Sequence, residues 1–190
     1  AIPRDAGNLT PYMAGDAHDD FMLELIYDKL RAPSPYVEEP KPWLAEEIRR
    51  LDSRTWDVRV RSGIQWHDGV QFSAEDVKFT FEYYRDGPVN RWTHHTSKVP
   101  RIRDAFIVDS STVRIVCADP CPAFDRVTAA DLPIIPRHVW RQVKAPRTFT
   151  DPPIGTGPFV WVQHVPDQFY RFRANRNYFK GAPVIDELIL

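Results

Sequence analysis

The sequence predicts a mixed α/β (α+β) fold with antiparallel sheets, and three observations carry that prediction. Trp56, Val58 and Val60 alternate with Asp57, Arg59 and Arg61, the two-residue period of a half-buried strand. Two pairs of strand-like runs are each joined by a short turn: 104–108 with 112–116 around Asp109-Ser110-Ser111, and 159–165 with 169–174 around Pro166-Asp167-Gln168. Ser73 is followed three residues later by Asp76, a capping-box pattern, and then by Val77, Phe81 and Tyr84 at helical spacing.

In chain order, Asp16 is placed to cap a helix reaching about Leu30, with Met22, Leu25, Ile26 and Leu30 on one face. Pro33 ends it. Trp43 to Ile48 reads as a short helical turn. The Trp56 strand follows, then a break at Ser62-Gly63 and the polar unit Trp66-His67-Asp68-Gly69, which leads into the Ser73 helix. Gly87 to Pro100 is polar and irregular and holds Trp92, His94 and His95. After the first hairpin a helix is expected over Pro122–Ala130. Another begins after Pro136, because proline suits the first helical position. Gly155-Thr156-Gly157-Pro158 precedes the second hairpin, and Val184 to Leu190 reads as a last strand. Proline is abundant, 18 residues against 8 glycines, so Pro33-Ser34-Pro35, Pro40-Lys41-Pro42 and Pro152-Pro153 are read as ordered loops or boundaries.

With 190 residues the chain can bury a real core, as one large or two small domains. Its 25 basic and 26 acidic residues leave a net charge of −1, which gives no global attraction to nucleic acid or to an anionic membrane. No window approaches the roughly 18 consecutive apolar residues of a membrane span.

Several patterns invite a chemical reading. His67-Asp68 resembles the doublet of metal-dependent phosphohydrolases, and with His94-His95 it defines a metal-assisted hydrolase as an alternative. However, a metal site needs three or four convergent ligands, and the other histidines lack ligand spacing. The favoured reading is structural: Asp68 accepts from nearby backbone N–H groups and Gly69 supplies a positive φ. Gly155-x-Gly157 is not a nucleotide loop, since Pro158 and a β-rich run follow it where a phosphate loop needs a helix N-terminus. There is no Gly-x-Ser-x-Gly elbow and no distinctive carboxylate pair. Trp92, His94 and His95, in a loop, are candidates to line a ligand cleft, the alternative being a partly buried anchor and two solvated histidines. Tyr12 and Met13, after Pro11, are a second candidate pair, the alternative being packing on the first helix.

The order of the motifs resembles that of the extracellular solute-binding proteins of ABC importers, the family (family 5) that includes oligopeptide- and dipeptide-binding proteins. The match runs through Trp56–Val60, Arg61, Gly63, Trp66-His67-Asp68-Gly69 and Phe72-Ser73-Ala74-Glu75-Asp76-Val77. Asn8-Leu9-Thr10-Pro11-Tyr12, Ile135-Pro136-Arg137-His138-Val139-Trp140, Gly155-Thr156-Gly157-Pro158-Phe159 and Asn175 to Gly181 agree in the same order. Asn177 stands where the family has proline and Phe179 where it has tryptophan.

The resemblance implies a lobe of the periplasmic-binding-protein-like II fold. Residues 1–42 and 151–190 would belong to the main lobe and 43–150 would form an inserted α+β subdomain with an antiparallel sheet. It also implies an N-terminal piece of a longer protein, truncated before a second lobe. The implied function is the capture of peptides or a similar small solute (a nickel complex, sugar or haem within the same family) for delivery to an ABC permease, with no catalysis and no cofactor or metal. A ligand-sensing domain on the same fold is the alternative. The location implied is the periplasmic or extracellular face of the membrane, with or without a lipid anchor, as a monomer. Tyr12, Met13, Trp92, His94 and Gly157 are the ligand-binding candidates. Cys117 and Cys121 read as either a small disulfide loop or two thiols, and export of the family favours the disulfide.

Overall fold

The computed structural model describes residues 9–12, 17–33, 39–87 and 101–190. Its elements are α1 (Ala17–Ile26), β1 (Arg31–Ala32), β2 (Lys41–Pro42), β3 (Ala45–Arg50), β4 (Thr55–Val60), α2 (Ala74–Asp86), β5 (Ile102–Ile107) and β6 (Thr112–Cys117). A π-helical turn at Phe124–Thr128 then runs into α3 (Ala129–Asp131). After it come α4 (Arg137–Trp140), a 3-10 turn at Pro146–Thr148, β7 (Phe159–Val165), β8 (Phe169–Ala174) and β9 (Glu187–Ile189). They divide between two compact units. One is Ala1–Tyr27, Gly63–Gln71 and Gln142–Leu190; the other is Asp28–Ser62 and Phe72–Arg141.

The second unit is built on a four-stranded antiparallel sheet in the order β3-β4-β6-β5. The alternation read from the sequence places Trp56, Val58 and Val60 of β4 on its buried face, beside Val113 and Ile115 of β6. Helix α2 covers that face with Val77, Phe81 and Tyr84. Phe124 of the π turn closes the core against Trp56 and Phe81, with ring centroids 5.6 and 5.7 Å apart. The helix starts at the capping box that the sequence predicts, with Ser73 as its N-cap. The Asp76 carboxylate accepts the Ser73 N–H at 2.9 Å, and its second oxygen accepts the Arg137 N–H at 3.0 Å, so one buried acid fixes the starts of both α2 and α4.

The sequence pattern misjudged three stretches. The composition of Trp43–Ile48 predicts a helical turn, but β3 is a strand. Glu46, Glu47, Arg49 and Arg50 are good helix formers, yet pairing with β4 outweighs their intrinsic preference. That pairing sets Glu47 opposite Arg59 and Arg49 opposite Asp57, with N–O distances of 3.1 and 3.3 Å. Helix α1 stops at Ile26 rather than near Leu30, because the next residues turn extended: Asp28 accepts the Ile134 N–H and Lys29 bridges Pro133. The last strand is confined to Glu187–Ile189, and Val184 is fully exposed.

On the solvent face of the same sheet, Asp57 departs from the alternation. It is buried although its strand position points outward, because Arg114 covers it with a bidentate pair at 2.7 and 3.0 Å and Arg49 adds a third contact. The Arg114 hydrogen bonds hold the Asp57 carboxyl below the usual carboxylate range, more strongly than partial burial raises it.

In the first unit, β7, β8 and β9 form an antiparallel sheet in that order, and α1 packs against β7. The β7–β8 hairpin has the limits read from the sequence. Phe159, Tyr170, Phe172 and Ala174 are buried on one side, and His164 stacks on its cross-strand partner Tyr170 with centroids 4.2 Å apart.

Candidate functional site

Three of the motifs meet in the first unit. The segment around Trp66-His67-Asp68-Gly69 is a miniature hairpin closed by a bridge between Gln65 and Gln71. Trp66 donates its backbone N–H to the Val70 carbonyl at 2.8 Å, and Gly69 donates back to Trp66 at 2.9 Å. Asp68 accepts the Val70 N–H at 3.2 Å, the local bond that an aspartate two residues upstream can make. Gly69 has φ +87°, a backbone region that side chains with a Cβ resist. The Trp66 ring is buried.

His67 joins this hairpin to the Gly155-Thr156-Gly157-Pro158 turn. Its backbone N–H donates to the Gly155 carbonyl at 2.9 Å. Its ring Nε2 lies 3.0 Å from the Gly157 carbonyl, and the Gly155 N–H reaches Nδ1 at 3.3 Å. A carbonyl can only accept and an amide N–H can only donate, so the pair of contacts assigns a neutral ring with its proton on Nε2. Burial pushes the imidazole pKa from 6.5 down to about 4; Arg173 pushes the same way, while the Gly157 bond and Asp68 oppose it.

The turn is held from two further directions. Gly157 donates its N–H to the Ile26 carbonyl at the end of α1, at 2.8 Å. Asn175 Nδ2 donates to the Gly157 carbonyl at 3.0 Å, and the Asn175 N–H donates to Pro158 at 2.8 Å. Asn175 also begins the third motif, accepting the Asn177 N–H through its side chain and the Tyr178 N–H through its carbonyl. The approach to α1 leaves no room for a side chain on the turn. A Cβ on Gly155 would fall on the Ile26 carbonyl, and one on Gly157 would sit 2.6 Å from the carbonyl oxygens of both Leu25 and Ile26.

This geometry bears directly on the hydrolase reading. The one lone pair of neutral His67 is occupied by the Gly155 N–H, so the ring has nothing to offer a metal in this arrangement. Among the described residues no group of three or more His, Cys, Asp or Glu is arranged to hold a metal ion. Tyr12 is buried, at 5% exposure. Met13, Trp92, His94 and His95 lie outside the described residues. Cys117 and Cys121 are joined as a disulfide, and their N–H groups donate to Arg54 and Ser53, which pins the loop to the β3–β4 turn. The bridging role of His67 was not readable in the sequence, because about 90 residues separate it from its partners and no spacing rule links them.

Comparison with known proteins gives the class and the family in which these motifs stand together. The chain belongs to the bacterial extracellular solute-binding proteins, family 5, whose model matches residues 39–190. It is 30% identical to Di/tripeptide-binding protein 4 of Pseudomonas aeruginosa over 90% of this chain and 36% of that protein. It is 28% identical to Heme-binding protein A of Haemophilus influenzae over 87% of this chain and 34% of that one. Among solved structures, NikZ from Campylobacter jejuni in complex with Ni(L-His) superposes with a TM-score of 0.79 at 28% identity, covering 100% of this chain and 36% of that chain. The chain therefore spans about a third of the length of these relatives, and its fold is that of a periplasmic-binding-protein type II lobe. The family consists of substrate-binding, non-catalytic proteins of the periplasm or cell exterior that serve ABC transporters. No helix among the described residues is long and apolar enough to cross a membrane.

Proposed function

We propose that this chain is part of the substrate-binding component of an ABC importer, and that the whole protein captures a peptide or similar small solute between this lobe and a second one. The observation that carries the reading is the 30% identity to a di/tripeptide-binding protein across 90% of the chain, together with the family match over residues 39–190. Capture in such a protein is closure of two lobes, driven by the contacts a ligand makes only in the closed state.

In this reading residues 1–42 and 151–190 contribute to the main lobe and 43–150 form a subdomain inserted in it, although the compact units group 28–42 with the insert and 63–71 and 142–150 with the main lobe. Tyr12, Met13, Trp92, His94 and Gly157 are the ligand-binding candidates. Gly157 would act by shaping the turn, since its amide and carbonyl are both engaged. Trp66, His67, Asp68 and Gly69 are scaffold. The protein works as a monomer at the periplasmic or extracellular face of the membrane, held there only through a lipid anchor or the permease, and hands its solute to the permease.

Calorimetry on the full-length protein, unfolded and refolded to strip carried-over solute, tests this with di- to pentapeptides, nickel–histidine and haem. Saturable peptide binding without turnover is expected, and the 190-residue chain alone should bind far more weakly. Cleavage of the peptide, or no binding of any of the three ligand types, would refute the reading.

A further inference from the structure

His67 sits between two backbone groups whose hydrogen-bonding roles cannot be exchanged. The Gly155 N–H can only donate and the Gly157 carbonyl can only accept. A neutral imidazole protonated on Nε2 satisfies both. An imidazolium satisfies one, because its new N–H on Nδ1 faces the Gly155 N–H, donor against donor, across 3.3 Å. The two ends of the turn therefore respond differently to a proton. The Gly157 end keeps its bond to Nε2–H and stays tied to Ile26 and Asn175, whereas the Gly155 end loses its ring contact.

The charged groups acting on the ring are Arg173 from β8, which opposes a second positive charge, and Asp68 from the same hairpin, which favours it. Among the described residues, the hydrogen-bonding neighbours of the ring bring no charge. The 155–157 turn presents backbone, and Asn175 presents an amide that shares the Gly157 carbonyl.

We propose that His67 is an acid-sensitive latch: while neutral its ring pins both ends of the Gly155–Gly157 turn, and on protonation it gives up the Gly155 N–H, leaving that end held only through the His67 backbone N–H to the Gly155 carbonyl, while the rest of its unit stays folded. The turn is thus locked at neutral and mildly acidic pH and loosened only in stronger acid. This inference goes beyond the proposed transport function and needs no ligand, so either can fail alone.

The test is nuclear magnetic resonance on the full-length, 15N-labelled protein without added solute, from about pH 7 to about pH 4. Long-range 1H–15N spectra report the tautomer and titration of each histidine ring, and amide exchange, corrected for its intrinsic pH dependence, reports protection at Gly155. At neutral pH the His67 ring is expected to carry its proton on Nε2 and to titrate well below the usual histidine range. Gly155 should lose about tenfold or more of its protection over the same interval, while Ile115 in the other unit and Phe172 in β8 keep theirs. In His67→Gln, Gly155 protection should no longer depend on pH. A ring protonated on Nδ1, ordinary titration of His67, or flat Gly155 protection would overturn the proposal. So would loss of Gly155 protection together with Ile115 and Phe172, which would mean global acid unfolding. If His67→Gln does not fold, the wild-type measurements alone decide.

Discussion

Replacing Gly157 by alanine should be among the most damaging single-methyl changes in the first unit. The added carbon would stand 2.6 Å from two carbonyl oxygens, those of Leu25 and Ile26, about 0.8 Å inside ordinary contact. Both oxygens belong to the end of helix α1, so neither can swing aside as a long side chain would. The turn must move instead, and three hydrogen bonds move with it: Gly157 N–H to Ile26, and its carbonyl to His67 and Asn175. Overpacking costs about 1–3 kcal/mol, and each neutral hydrogen bond contributes about 1 kcal/mol. Since the bonds stretch before they break, the sum expected is about 3–4 kcal/mol, a large part of a stability of about 5–15 kcal/mol. Gly69→Ala is the control. It also changes glycine to alanine, at φ +87°, but nothing lies within 4 Å of the new carbon, so only the backbone cost of about 1 kcal/mol applies. Urea unfolding of both variants in the full-length protein measures the difference. If Gly157→Ala costs no more than Gly69→Ala, the close approach of the turn to α1 is not the constraint described.

Stability should also fall with acid through His67. Its folded pKa of about 4 lies below its ordinary 6.5, so the unfolded chain binds the proton first. Stability is level above about pH 6.5, falls by about 1–3 kcal/mol down to about pH 4 and levels again, a slope that should disappear in His67→Gln when denaturant midpoints are compared. Asp57→Ala removes the acceptor shared by Arg114 and Arg49. Both arginines can turn to water, so a cost of about 1–2 kcal/mol is expected in urea unfolding, and a neutral result would mean the pairs are only superficial. Because the Asp57 pKa is lowered, this contribution is present above the ordinary carboxylate range and is lost as pH falls through the lower folded value. Replacing both Cys117 and Cys121 by alanine should lower stability by about 2 kcal/mol, the loop-closure value for so short a ring. Reductant should then have no further effect on thermal unfolding of the variant, and a reductant-sensitive variant would contradict the assignment.

Local patterns were legible wherever a segment's own residues decide its state. The alternation at Trp56–Val60, the turn residues of the two hairpins and the Ser73–Asp76 cap are short-range effects, and they appear where the sequence placed them. Trp43–Ile48 failed because its helix-forming residues are overruled by pairing with β4, the next strand in the chain, whose residues lie outside the segment itself. Asp57 looked like an exposed position on a half-buried strand, and only the register with β6 brings Arg114 over it.

By itself, then, the sequence determined the class of fold, the family and the identity of the motifs, because these depend on residue types in a given order. Tertiary structure alone decided what the motifs do to one another. His67, Gly155, Gly157 and Asn175 are unremarkable as separate residues. Their roles follow from an approach of segments about 90 residues apart, in which one ring nitrogen must donate, the other must accept, and two glycines must leave room for the carbonyls of α1.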